Sequence, residues 1–173
     1  MKVQTIFFSI VMFFALTAAS LAQQVKTDYD HNAHFSQYKT YSWAKVQTRD
    51  PLLVDRIKAA VNGALSAKGW TPVASGGDVS IAAIEITQNK QELNTFYDGF
   101  GGRRFGGFGD ATTTTETYKV GDLVVNLFDA KTKNLIWRGS SSDTLSNNAD
   151  KNTKSLDKGV QKMFAHFPPQ AKQ

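Results

Sequence analysis

A glycine-rich segment in the middle of the chain constrains the fold more than any other feature of the sequence. Six of the eleven residues from Gly99 to Gly109 are glycine. Glycine loses more backbone freedom on ordering than other residues do, so a packed helix or strand does not accommodate such a run. Strand-like sequence lies on both sides, including the β-branched run Thr112–Thr115. We therefore expect a long hairpin whose tip is a Gly-rich loop over residues 97–111.

The N-terminus has the pattern of a cleaved secretory signal. Lys2 supplies a positive charge, Ile6–Leu16 forms an apolar core, and Ser20-Leu21-Ala22 is a small-residue cleavage motif. The apolar core is shorter than the roughly 20 residues that a membrane-spanning helix requires. We therefore predict cleavage between Ala22 and Gln23.

Composition fits one exported domain over residues 23–173, after a signal peptide over residues 1–22. The chain contains no cysteine, which excludes thiol catalysis, a disulfide framework and cysteine-ligated zinc. It also excludes the lipid-modified N-terminal cysteine that anchors bacterial lipoproteins. The net charge is +5, including Lys2 of the signal peptide. We expect a soluble periplasmic or secreted protein with no transmembrane span after cleavage.

Hydrophobic periodicity predicts the element order β-β-α-β-β-β-β-α. Asp50 and Pro51 are typical of a helix start and Gly69 of a helix stop, and a second helix is expected from about Asp150 to His166. The predicted strands are Val25–Asp30, Lys39–Ala44, Trp70–Val73, Asp78–Gln88, Val120–Asp129 and Asn134–Gly139. Strands grouped beside separate helices indicate an α+β fold. We expect a single, mainly antiparallel sheet of five or six strands with two helices on one face.

The Gly-rich loop contains the strongest binding candidates. They are the aromatic residues Tyr97, Phe100, Phe105 and Phe108 and the cations Arg103 and Arg104. Such a loop suits a membrane surface or a partner protein. Arginines beside stacking aromatics also suit nucleic acid, but the repeat is single, Asp98 and Asp110 flank it, and the protein is expected to be exported. A solvated hairpin tip with incidental aromatics is the alternative.

A basic stripe is predicted on the last helix. Lys151, Lys154, Lys158 and Lys162 are spaced three or four residues apart and therefore share one helix face. This stripe favours an anionic partner or an anionic envelope surface. A solvated helix face explains the same pattern without any partner.

No catalytic or metal-binding set emerges from the sequence. Asp28, Asp30, His31 and His34 carry ligand atoms suited to a transition metal, but strand-then-loop sequence around them favours a polar loop. We predict no metal, no cofactor and no catalytic residues. Paired carboxylates such as Asp55 with Glu85 leave a hydrolase open as the alternative.

Four separated motifs resemble those of a bacterial family, the domain-of-unknown-function family 4136. The motifs are Phe35–Trp43, Leu65–Trp70, Gly121–Asp129 with Thr132 and Leu135–Gly139, and Phe164–Pro169. The resemblance extends from about Gln24 to Pro169 and implies an exported envelope protein of α+β fold, with no reaction attached. Many members resemble lipoproteins with a cysteine after the signal, whereas Gln23 and Gln24 follow Ala22 here.

Residues within these motifs also have a structural interpretation. Trp43, Trp70 and Trp137 lie at element ends or in strands and are expected to anchor the core. Our leading hypothesis is a non-catalytic binding or accessory module that contacts another envelope component through a sheet edge or the Gly-rich loop. The alternative is a small periplasmic hydrolase or ligand-binding enzyme with dispersed carboxylates.

Overall fold

The computed structural model describes residues 23–97 and 111–169. The predicted signal peptide, residues 98–110 and residues 170–173 lie outside the described residues. The described parts form six strands and two helices, in the predicted order, with one short 3-10 turn at Phe35–Gln37. The elements are β1 (Gln24–Tyr29), β2 (Thr40–Gln47), α1 (Pro51–Ser66), β3 (Thr71–Pro72), β4 (Val79–Tyr97), β5 (Ala111–Asp129), β6 (Leu135–Leu145) and α2 (Ala149–Met163).

Both helices begin at residues whose side chains satisfy the first backbone donors. The Asp50 carboxylate accepts a hydrogen bond from the Leu52 amide at 2.9 Å, and Pro51 occupies the first turn. The Asn148 side chain accepts one from the Lys151 amide at 3.0 Å. Gly69 has φ +80° and leads the chain out of α1. The predicted cap and stop residues of the first helix are therefore confirmed.

The sheet is mixed, and the expectation of a mainly antiparallel sheet is wrong. Its strand order is β1-β6-β5-β4-β2-β3. β1–β6, β6–β5 and β5–β4 pair antiparallel, whereas β2 pairs parallel with both β3 and β4. The chain leaves β2 through α1 and returns to the starting end before β3 and β4. A helix crossover of this kind joins parallel strands, since a short hairpin turn cannot.

The core lies between the sheet and both helices. Alternate residues of the central strands point toward the helices, so Ile81 and Ala83 of β4 and Val125 and Leu127 of β5 are fully buried. Ile57, Val61 and Leu65 of α1, Val160 and Met163 of α2, and Phe164 directly after α2 belong to the same hydrophobic cluster. Each helix covers one half of the sheet, α1 lying against β2 and β3 and α2 against β1 and β6, and the two helices contact each other.

The opposite face of the sheet carries the intervening residues. Ala82, Ile84 and Val124 are half-buried there, and Ile86 is 47% exposed. Within residues 23–97 and 111–169, no helix has both the length and the apolar character needed to cross a membrane.

Candidate functional site

A two-stranded arm projects from the sheet, formed by residues 90–97 of β4 and 111–118 of β5. The last β2–β4 pair is Gln47 with Ile84, and the last β5–β6 pair is Lys119 with Leu145. Pairing between β4 and β5 continues from there to Tyr97 with Ala111. At a rise of about 3.4 Å per residue, the arm extends about 27 Å beyond the last pair between β5 and β6.

Both edges of the arm lack a neighbouring strand in the described part of the chain. In an antiparallel pair, alternate backbone N–H and C=O groups of each strand point away from the partner. The arm therefore presents two rows of backbone donors and acceptors. Its β5 half is rich in threonine, at positions 112–115 and 117, a residue that favours extended backbone.

The predicted loop residues map to the end of this arm. Tyr97 is the last residue of β4. Phe100, Arg103, Arg104, Phe105 and Phe108 fall outside the described residues, so their role as a binding loop stays a prediction. The sequence prediction ended the fourth strand at Gln88 and therefore missed most of the arm. The threonine run on the return strand was the signal that the pairing continues.

The predicted cleavage position lies next to the domain's first strand. Gln23 immediately precedes β1, and its side-chain amide donates a hydrogen bond to the Ser155 carbonyl oxygen of α2 at 2.8 Å. A methyl group on Gly159 would approach both the Gln23 amide nitrogen and the Ser141 hydroxyl to 2.6 Å. Gln23 is therefore packed against α2, whereas Ala22 is outside the described residues.

A cleft of about 220 Å³ lies between the N-terminal ends of both helices and the sheet. We call it the acidic cleft because Asp50, Glu85, Asp122 and Asp143 line it, with Arg56 as the accompanying cation. Asp55, which the sequence paired with Glu85, is exposed on α1 and does not line the cleft. The fold thus gathers carboxylates that sequence spacing did not group.

The carboxylates of the acidic cleft make hydrogen bonds within the protein. Glu85 is only 8% exposed, and its two oxygens accept hydrogen bonds from the hydroxyls of Thr48 and Thr87, each at 2.7 Å. Asp143 accepts a hydrogen bond from the Ser155 hydroxyl. Asp50 caps α1. Because a buried carboxylate without partners is costly, these contacts explain why Glu85 is tolerated in the interior.

An aromatic cluster lies at the other end of the helices. Phe167 packs against four rings, with centroid distances of 5.8 Å to Phe35, 5.1 Å to Trp70, 5.4 Å to Trp137 and 5.3 Å to Phe164. Tilted and edge-on contacts of this kind stabilise beyond simple area burial. All four sequence motifs contribute to this end of the core, and Trp70 and Trp137 are buried as expected of anchors.

Two aspartates join this end of the sheet to its connecting turns. Asp129 accepts hydrogen bonds from the Thr132 amide and the Tyr38 hydroxyl, both at 2.8 Å, and these contacts lower the pKa of Asp129. Burial and the contact with Asp129 raise the pKa of Tyr38. Asp78 accepts from the amides of Lys39 and Thr40 at 3.0 and 2.9 Å, which lowers the pKa of Asp78. A carboxylate held ionised in this way stabilises turns and is poorly suited to proton transfer.

The polar segment around the first histidines contains no grouped ligand set. The His31 ring lies against Tyr29 at a centroid distance of 4.5 Å. His34 precedes the 3-10 turn. Among the residues that the structure describes, no three His, Asp or Glu side chains come together as a metal site would require.

The predicted basic stripe is exposed along α2. Lys151, Lys154, Lys158 and Lys162 are all exposed. Helical spacing places them on one face, and that face points away from the core residues Val160 and Met163.

Fold and site together define an α+β domain in which a six-stranded mixed sheet carries two helices and a projecting arm. The sequence profile described as "Domain of unknown function (DUF4136)" matches residues 25–169. The chain belongs to this family, which confirms the resemblance of its four motifs. No curated protein matches the sequence.

Several solved structures share the fold at low sequence identity. A PDZ domain protein from Parabacteroides distasonis is 12% identical, with a TM-score of 0.58 over 92% of this chain. The chain spans only 39% of that protein's length. A PelC dodecamer from Paraburkholderia phytofirmans is 15% identical, with a TM-score of 0.53 over 88% of this chain and 100% of the PelC chain. These similarities concern the fold alone.

Proposed function

We propose that this protein is an exported bacterial envelope module that binds another envelope component through the β4–β5 arm, without catalysing a reaction. The observation that carries the proposal is the projection of residues 90–97 and 111–118 beyond every neighbouring strand. The signal-like leader and the family resemblance support export to the envelope.

The open edges of the arm favour a protein partner. A two-stranded ribbon is only marginally stable in water, because each strand has one neighbour. An extended segment of another protein can add to either edge through backbone hydrogen bonds. Exposed edges without such a partner promote aggregation, so proteins rarely keep them long unless they are used. The arm therefore suits strand addition by a partner.

The tip supplies a second set of contacts in this proposal. Arg103 and Arg104, with Phe100, Phe105 and Phe108, combine charge with aromatic surface at the position where the arm ends. The two arginines suit acidic groups of a partner, while Asp98 and Asp110 leave residues 98–110 without net charge. The PelC relative assembles as a dodecamer, so a second copy of this chain is a partner that the test must distinguish from a different protein.

Removing the arm tests the proposal directly. Asn89 and Lys119 face each other across the two strands, so residues 90–118 can be replaced by an Asn-Gly dipeptide, the pair favoured in two-residue hairpins. We expect this variant to keep the unfolding midpoint of the wild type and to lose partner recovery in affinity purification from envelope extracts. A matched control replaces Arg103 and Arg104 by Gln, leaving the arm intact.

The two variants distinguish binding by the strand edges of the arm from binding by its tip. Loss of the partner only in the armless variant assigns binding to the strand edges, and loss in both assigns it to the charged tip. Light scattering on both proteins shows whether the partner is a second copy. An armless protein that is folded and still recovers the same partners would overturn the proposal.

The acidic cleft favours one other candidate function, a small hydrolase with dispersed carboxylates. Three carboxylates, those of Asp50, Glu85 and Asp143, lie on the helix side of the sheet there, and Glu85 is the most buried of them. Under this alternative, Glu85→Gln abolishes hydrolysis of an ester or glycoside substrate panel while the protein stays folded. Under the binding proposal, no hydrolysis is found and Glu85→Gln retains partner recovery.

A further inference from the structure

A second cleft, of about 1230 Å³, opens at the C-terminal ends of both helices. It lies between β1, the segment that follows β1, and the end of α2. We call it the basic cleft because Lys68, Lys162, His34 and His166 line it. None of these four residues belongs to the arm or to the acidic cleft, so the basic cleft is a separate site.

The floor of the basic cleft is apolar. Half-buried Val25, Tyr29 and Ala33 supply its accessible apolar surface. They pack against the core, which here includes Phe35, Trp137, Met163 and Phe167, each 7% exposed or less. Three of these four residues are members of the aromatic cluster, whose rings hold one another in place through tilted and edge-on contacts. The core beneath this surface is therefore packed without a ligand, and a preformed site has a lower entropic cost of binding.

The rim of the basic cleft carries two lysines and two histidines. Lys68, Lys162, His34 and His166 are all exposed, in contrast to the half-buried floor. No aspartate or glutamate is among the lining residues that the structure describes. The chain as a whole carries 15 Asp+Glu against 20 Lys+Arg, so acidic residues are common elsewhere and their absence here is local.

One rim lysine contacts the backbone beyond the end of α2. The Lys68 ammonium donates a hydrogen bond to the Ala165 carbonyl oxygen at 3.1 Å, which joins the end of α1 to the end of α2. An ammonium group has three donors. One donor serves this contact, and the others remain for a ligand at the rim. Lys162, in the last turn of α2, lies three residues before Ala165.

We propose that the basic cleft binds a small anionic amphiphile, meaning an acyl chain with a carboxylate or phosphate head group. The head group contacts Lys68 and Lys162, and the acyl chain covers Val25, Tyr29 and Ala33. A simple anion would use only the rim, and a neutral hydrocarbon only the floor. The cleft volume is sufficient, since small-molecule sites typically measure about 300–1,000 Å³.

Calorimetric titration with monomeric dodecyl phosphate tests this site. We expect saturable binding with one ligand per chain, and at least tenfold weaker binding by the Lys68→Gln/Lys162→Gln variant. The Lys151→Gln/Lys154→Gln variant changes charge by the same amount on exposed residues outside the cleft, and its affinity should equal that of the wild type. Dodecyltrimethylammonium and inorganic phosphate, which each lack one half of the ligand chemistry, should bind at least tenfold more weakly.

A parallel titration with lipid vesicles shows whether the amphiphile is free in solution or taken from a membrane. Binding of monomeric dodecyl phosphate with no binding to phosphatidylglycerol vesicles identifies a free amphiphile, and binding to both identifies a lipid taken from a membrane. Binding to vesicles alone would contradict the proposal, because it would indicate a surface interaction without entry into the cleft.

Two further measurements keep the result interpretable. His34→Gln/His166→Gln alters only exposed rim residues, so a weakened affinity there supports the site even if the lysine variant is less stable. Dodecyl phosphate should change tryptophan fluorescence in the wild type and much less in Trp137→Phe. Equal affinities of the wild type, both rim variants and the Lys151/Lys154 control would overturn the proposal.

Discussion

The two ends of the helix pair differ in charge and in what their side chains contact. The N-terminal end holds the acidic cleft, where Asp50 and Asp143 lie and where Glu85 is buried. The C-terminal end holds the basic cleft, whose rim includes Lys68 and Lys162. Helix N-termini favour negative charge and C-termini favour positive charge, so this distribution follows the helix dipoles.

The difference lies in how these charged groups are used. At the acidic end, Thr48 and Thr87 already donate to both oxygens of Glu85, and Ser155 donates to Asp143. At the basic end, Lys68 makes one contact, to a backbone carbonyl. The acidic end is therefore built to hold strands and helices together. The basic end combines an apolar surface, backed by a packed aromatic cluster, with lysines that are available to a ligand.

The largest expected effect comes from removing a ring of the aromatic cluster beneath the basic cleft. Phe167→Ala deletes a buried ring that contacts four others, and we expect a loss of about 3–5 kcal/mol in the free energy of unfolding. Ile86→Ala is the control on the exposed side of the sheet and should cost well under half as much, since Ile86 is 47% exposed. Urea denaturation measures both. Equal losses would show that the aromatic cluster does not dominate stability.

A smaller effect is expected from filling space beside the same cluster. A methyl group on Gly139 would collide with the Trp137 ring and approach the Met163 sulfur to 2.9 Å. We therefore expect Gly139→Ala to cost about 1–3 kcal/mol. A methyl group on Gly63 of α1 would have no other atom within 4 Å, so Gly63→Ala should stabilise the protein by about 0.5–1 kcal/mol. Thermal unfolding should show a lower midpoint for Gly139→Ala and a higher midpoint for Gly63→Ala. A higher midpoint for both variants would contradict the expected collision at Gly139.

The smallest effect is electrostatic and depends on pH. The folded state lowers the pKa of Asp78, so its charge stabilises the fold fully above the ordinary aspartate pKa of about 3.9, and this contribution is lost as pH falls below that value. Asp78→Asn keeps the shape and removes the charge. We expect about 0.5–1 kcal/mol less stability at pH 7, because solvent partly screens this half-buried group.

Urea midpoints measured between neutral pH and strongly acidic pH check this expectation. The wild type and Asp78→Asn should converge as the solution is acidified. Asp129→Asn should behave in the same way, since the Thr132 amide and the Tyr38 hydroxyl lower the pKa of Asp129. A constant gap between wild type and variant at every pH would show that the charge of Asp78 contributes nothing.

Local signals in the sequence predicted most helices and strands, but they did not predict how distant strands pair. Asp50, Pro51 and Gly69 identify the limits of α1 because capping chemistry acts within a few residues. Parallel pairing of β2 with β4 depends on the path of the chain around α1, which residue periodicity does not encode. The four motifs predicted the family, and their rings meet in one cluster only in the folded chain.

The candidate sites also differ in how far the sequence alone predicts them. The Gly-rich tip was visible in the sequence because its composition is unusual, whereas the length of the arm was underestimated at Gln88 because polar strands lack the alternation that marks a half-buried strand. The basic cleft assembles His34, Lys68 and Lys162 from three distant segments. Each of these residues alone resembles an ordinary surface residue, so only the fold reveals their convergence.

The pairing of the first strand with the last has a consequence for the order of folding. β1 has β6 as its neighbour, with Gln24 opposite Ser142, so β1 cannot join the sheet until nearly the whole chain has been made. Contacts so distant in sequence slow folding, because the loop between them must close first. In a chain exported as we propose, β1 stays unpaired until β6 has crossed the membrane, and the sheet is completed only then.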